Sequence, residues 1–86
     1  MNDNNYNGAI YFADGKPVPE LLTAEEAITF LRLDIDGPKH PEMTLQHYRQ
    51  EGLLRATKVG RNLRYLRSEL LRFLEEQTKR TNGDIS

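Results

Sequence analysis

The chain has no cysteine in its 86 residues, which excludes disulfide staples and thiolate zinc sites and suits a reducing cytoplasm. It has no apolar run near the ~20 residues a membrane helix needs. The opening stretch MNDNNYNGAIYF lacks the basic and apolar regions of a signal peptide. The expectation is a soluble cytoplasmic protein with no membrane partner. Internal repeats and long heptad runs are also missing, so neither a solenoid nor a coiled coil is expected. The only two histidines, His40 and His47, have no third ligand and no nucleophile in a suitable pattern. No catalytic residue, metal, cofactor or small-molecule ligand is therefore expected, and the chain does not read as an enzyme. A chain this short supports one compact domain with a thin stability margin.

What the chain has is an uneven distribution of charge. The formal net charge is −1. Residues 1–43 carry three Lys/Arg against eight Asp/Glu, a net of −5, whereas residues 44–86 carry nine against five, a net of +4. Nucleic-acid binding depends on a local basic face rather than on the total, so a near-neutral sum does not exclude it.

Residues 1–19 are rich in Asn, Asp, Gly and Pro and read as a flexible arm. Within them, Ile10-Tyr11-Phe12 can pair as a short edge strand or fold back onto the core, and Asp14-Gly15 suits a turn. The first helix begins after Thr23, with Glu26 placed to complete a capping box. Ala24, Ala27, Ile28 and Leu31 then form one apolar stripe. Residues 33–40 (LDIDGPKH) are a connector broken by Gly37-Pro38. Asp34 and Asp36 open like a calcium loop, but Lys39 stands where glycine is required and no glutamate closes it.

The second helix begins near Pro41, a residue suited to the first helical position, and stops at Gly52 in a left-handed conformation. Leu45 and Tyr48 point inward; Met43, Gln46, His47 and Gln50 point the opposite way at about 100° per residue. Such a face can read base edges, glutamine bonding adenine bidentately. Leu54–Val59 and Leu63–Tyr65 read as two strands around the three-residue loop Gly60-Arg61-Asn62. That register pairs Val59 with Leu63 and Thr57 with Tyr65 inward, and places Lys58 and Arg64 together toward solvent. Two like charges paired across a hairpin repel, which points to an external anion. The third helix runs from about Arg67 to Lys79, with Leu70, Leu71, Phe73 and Leu74 on its apolar side, and residues 80–86 form a flexible tail.

Two helices joined by a turn, a basic hairpin and a closing helix make a mainly α fold with a small β-hairpin: a winged helix-turn-helix over residues 20–79, with three helices and a two-stranded antiparallel wing. The stretches LLTAEEAITFL and TLQHYRQEGLLRATKVGRNLRYLRSELLRFL carry a further likeness. Leu21-Leu22-Thr23 followed by Glu25-Glu26-Ala27, Thr44-Leu45 ahead of Glu51-Gly52, and Lys58 before Val59-Gly60-Arg61 resemble the MerR-like, excisionase-family helix-turn-helix domain. The resemblance covers residues 21–75. It implies that Thr44 to Gln50 lie on the recognition helix and that Lys58, Arg61, Asn62 and Arg64 form the wing. It places Leu22, Ala27, Leu31, Tyr48, Leu54, Val59, Leu63, Tyr65, Leu70 and Leu74 in the core. The connector is longer than that family's usual turn, and the long dimerisation helix of full MerR regulators is missing.

The expected function is sequence-specific binding of double-stranded DNA. Met43, Thr44, Gln46, His47, Arg49 and Gln50 make up the recognition-helix set. Arg55, Lys58, Arg61, Asn62 and Arg64 make up the wing set. Arg49, Arg55, Lys58, Arg61 and Arg64 would hold phosphates, with Arg61 at the tip able to reach the minor groove. The resemblance implies an excisionase-like recombination directionality factor, working with a recombinase or further copies of itself on DNA and associated with the nucleoid when bound. A small transcriptional regulator fits the same residues. The rival from another class is a protein-interaction module on the same scaffold.

Overall fold

The computed structural model of the chain describes residues 10–35 and 39–85. The element order is β1 (Leu21–Leu22), α1 (Ala24–Phe30), α2 (Pro41–Gln50), β2 (Thr57–Val59), β3 (Asn62–Leu66) and α3 (Arg67–Ile85). Three helices surround an antiparallel sheet ordered β1-β3-β2, and the fold is a winged helix-turn-helix. The expected two-stranded wing gains a third strand, because Leu21 and Leu22 pair with Leu66 and Tyr65.

Local chemistry sets the helix ends. Thr23 accepts from the Glu26 N–H at 3.1 Å while its own N–H donates to Glu26 Oε1 at 2.9 Å, so two otherwise orphaned donors are satisfied reciprocally. Pro41 opens α2, and His40 at the cap makes no side-chain bond to the helix. Gly52, with φ +76°, closes it. The Gly52 N–H donates to Arg49 O at 3.0 Å and the Leu53 N–H to Tyr48 O at 2.9 Å, the paired bonds of a Schellman end.

Val18, Leu22, Ala27, Ile28, Leu45, Leu54, Tyr65, Leu70 and Phe73 form the core. Five of these were expected from the family resemblance: Leu22, Ala27, Leu54, Tyr65 and Leu70. Leu31 and Tyr48 are half-buried. Val59, Leu63 and Leu74 are exposed by 48%, 40% and 39%, which corrects their assignment to the core.

The hairpin register accounts for Val59; Leu63 keeps the face of Tyr65 but lies nearer the turn. Thr57 pairs with Arg64, Lys58 with Leu63 and Val59 with Asn62, so the loop has two residues, Gly60 and Arg61, not three. Gly60 has φ +64°, whereas Arg32 is the sole non-glycine with positive φ among the described residues. A glycine with positive φ at the first central position is the signature of a II′ turn, whose twist matches that of the strands. Alternation along the strands then places Lys58 and Leu63 on the face shared with Tyr65, and Thr57, Val59, Asn62 and Arg64 on the other. Lys58 and Arg64 therefore do not face solvent side by side, and the repulsion inferred between them is absent.

Two further expectations change. Within the arm, residues 10–18 are ordered: Tyr11 bridges to Pro17, Val18 is 3% exposed, and its N–H donates to Ile10 O at 2.8 Å. Burying one valine contributes only about 1.5 kcal/mol, comparable to the entropy of fixing one residue. The segment is held jointly with Arg67, whose Nη1 donates to Val18 O at 3.0 Å and whose N–H donates to Glu20 O at 2.8 Å. The flexibility expected for residues 1–9 lies outside the described residues, as do Asp36, Gly37 and Pro38 of the connector. At the other end, α3 continues through Ile85, so residues 80–85 are helix rather than tail. Thr78, Thr81 and Asn82 bond back to the carbonyls of Leu74, Gln77 and Thr78 at 2.8, 2.9 and 2.8 Å, which satisfies these polar side chains within the helix.

Candidate nucleic-acid interface

The second helix presents two chemically distinct sides. Leu45 is 1% exposed and Tyr48 packs on Phe73 with ring centroids 5.0 Å apart, which anchors α2 against the core and α3. The opposite side carries Met43, 64% exposed, and exposed Gln46, His47 and Gln50. This is the division expected from 100° spacing. Thr44 is half-buried, its hydroxyl donating over a long 3.4 Å to His40 O. His47 Nε2 lies 3.0 Å from Glu51 Oε2, one turn along the helix.

Arg49 is placed differently from the other polar residues of α2. It is half-buried, and its Nη1 donates to the Tyr65 hydroxyl at 2.5 Å. Tyr65 is 1% exposed, so this bond ties α2 to the central strand of the sheet. A guanidinium has five N–H donors, and those not directed at Tyr65 are the ones left for an outside anion.

The wing extends from that same strand. Lys58, Arg61 and Asn62 are exposed, Arg61 and Asn62 at the turn. Arg64 is half-buried and donates from Nη1 to Leu63 O at 3.1 Å. Among the described residues, no carboxylate lies within ion-pair distance of Lys58, Arg61 or Arg64. Arg55, at the base of the wing, differs. Its Nε is 3.9 Å from Glu69 Oε2, with the side chain 77% exposed, and its N–H donates to the same oxygen at 3.0 Å.

Glu69 is a residue whose part in the site was not apparent from sequence. It accepts from Arg72 Nε at 3.0 Å and from Arg72 Nη2, while another Arg72 Nη2 bond reaches Leu53 O at 3.1 Å. Glu69 and Arg72 thus join α3 to the turn after α2 and to the start of the wing. The Arg72 side-chain bond holds the Glu69 carboxyl below its ordinary value of 4.5; burial opposes this, and the Arg55 N–H assists. The same pairing raises Arg72. The signal available in sequence was the i, i+3 spacing of opposite charges. Lys39 and His40 are the other unanticipated neighbours. They line an open groove of about 300 Å³ with Met43, Thr44 and His47 at the start of α2.

An exposed polar helix face, a sheet that anchors it through Tyr65, and a cationic turn at the end of that sheet define the DNA-binding class of winged helix-turn-helix proteins. The family model described as a helix-turn-helix domain matches residues 21–78, and the chain belongs to that family. Membership supports DNA binding through the helix-turn-helix, with DNA as the partner. No curated protein and no solved structure matches the chain. Among the described residues, no helix is long and apolar enough to cross a membrane, and no group of three or more His, Cys, Asp or Glu residues is arranged to hold a metal ion.

Proposed function

We propose that the protein binds double-stranded DNA in a sequence-specific manner, α2 entering the major groove and the β2–β3 turn lying on the adjacent backbone. The observation that carries this reading is the exposed face of Met43, Gln46, His47 and Gln50, flanked by a wing whose three cations have no carboxylate partner among the described residues. Gln46 and Gln50 suit adenine edges, and His47 lies on the same exposed face. Lys58 and Arg64 sit on opposite faces of the ribbon with Arg61 at its tip. Inserted tip-first at the minor groove, such a ribbon addresses phosphates on both sides of it, while Arg61 enters the groove itself. Arg49 and Arg55 add phosphate contacts through donors not directed at Tyr65 and Glu69.

The biological setting we favour is that of an excisionase-like recombination directionality factor or a small transcriptional regulator, bound at the nucleoid. A recombinase or further copies on neighbouring sites would be partners in the first case. Selection of bound duplexes from a random pool is the test. A recovered motif with positions altered by Gln46→Ala or Gln50→Ala supports base readout by α2. Recovery of no motif, together with unchanged low-salt duplex binding after removal of the wing cations, would favour a protein-docking use of the scaffold.

A further inference from the structure

The groove at the start of α2 has an unusual lining for a surface meant to meet DNA. It is formed by Lys39, His40, Met43, Thr44 and His47, and its surface is mainly apolar although it lies on the exposed side of the helix. Met43 is 64% exposed and contributes a thioether chain that packs against irregular apolar shapes. The Thr44 hydroxyl donates back to the His40 carbonyl, which directs its proton into the helix. His47 Nε2 is engaged by Glu51, one turn further along the helix. Lys39, exposed at the rim, supplies a cation where a phosphate backbone would pass.

The N-terminal part of a recognition helix is the part that meets base edges. Hydrogen-bonding atoms line the major groove, and its one projecting apolar group is the methyl on C5 of a pyrimidine. Resting on the DNA-binding reading above, we propose that the Met43 groove receives a pyrimidine C5-methyl group and makes one position of the target site methyl-dependent. The methyl comes either from thymine or from 5-methylcytosine, since both carry it at the same place. Gln46 and Gln50 read hydrogen-bonding edges further along the helix; Met43 reads shape and apolarity.

The test uses the full chain and the duplex recovered by selection. Deoxyuridine replaces each thymine singly, and 5-methylcytosine replaces each cytosine singly. Burying one methyl-sized group is worth roughly a fourfold change in affinity. Loss of about fourfold at one thymine, abolished in Met43→Ala, assigns the groove to thymine. A gain of similar size confined to a methylated cytosine, likewise abolished in Met43→Ala, assigns it to methylated DNA. Met43 is mostly exposed, so the variant keeps the fold, and circular dichroism verifies this. If the duplex binds well but responds to neither substitution, or if Met43→Ala responds as the wild type does, the groove proposal is overturned while the DNA reading stands. If no duplex binds, both are overturned.

Discussion

Replacing Glu69 should loosen the joint between α3 and the wing. In the wild type this carboxylate accepts from Arg72 twice and from the Arg55 N–H once, and its side chain is only 14% exposed. Hydrogen bonds to a charged group contribute about 1.5–3 kcal/mol each, but these three share one acceptor and are not additive. Two circumstances reduce the loss. Arg72 keeps its bond to Leu53 O, and the exposed Arg55 backbone can turn to water. A net destabilisation of about 2 kcal/mol is therefore expected for Glu69→Ala, and about half that for Glu69→Gln, which keeps one acceptor oxygen. For a domain of this size that corresponds to a fall in Tm of about 8–16 °C for the alanine variant. The pH dependence has a definite sign. Because the folded-state carboxyl titrates below its ordinary value of 4.5, its contribution is complete above that pH and is lost as pH falls through the lowered folded value. Thermal melts of wild type and Glu69→Gln should accordingly differ most near neutrality and converge in acid. A Glu69→Ala melt indistinguishable from wild type at pH 7, or a gap that widens on acidification, would refute the reasoning.

Two further substitutions test the supports of α1 and α2. Thr23→Ala removes one half of the capping box and should destabilise the domain by about 1 kcal/mol, with Thr23→Ala and Glu26→Ala less than additive in denaturant melts because each serves the other. Tyr65→Phe deletes the acceptor for Arg49 without opening a cavity; a loss of about 1–2 kcal/mol is expected, and Arg49→Ala in that background should add little if the bond is their main coupling.

The parts of the molecule legible from sequence are those decided within a few residues. Thr23 and Glu26 settle the start of α1, Pro41 that of α2, and Gly52 its end, because capping and left-handed glycine are local physics. The inward and outward sides of α2 follow from helical period alone. The hairpin register is not legible in the sequence, because apolar Val59 and Leu63 invite pairing, yet both stand largely outside the core. The II′ turn at Gly60-Arg61 sets the register instead. Val18 was not recognised as core because its support comes from Arg67, far along the chain. Nor does a count of cations reveal their use. Arg49, Arg67 and Arg72 are directed at Tyr65, Val18 and Glu69 within the protein, so the basic face is smaller than the +4 of residues 44–86 suggests.

That smaller face carries the central claim, and the salt dependence of duplex affinity measures it directly. With about four to six phosphates neutralised, log Kd against log salt should give a slope of magnitude about 4 to 5, and the Lys58→Ala/Arg61→Ala/Arg64→Ala variant should lose about 2.7 of it. An unchanged slope in that triple variant would contradict the assignment of these three cations to DNA phosphates.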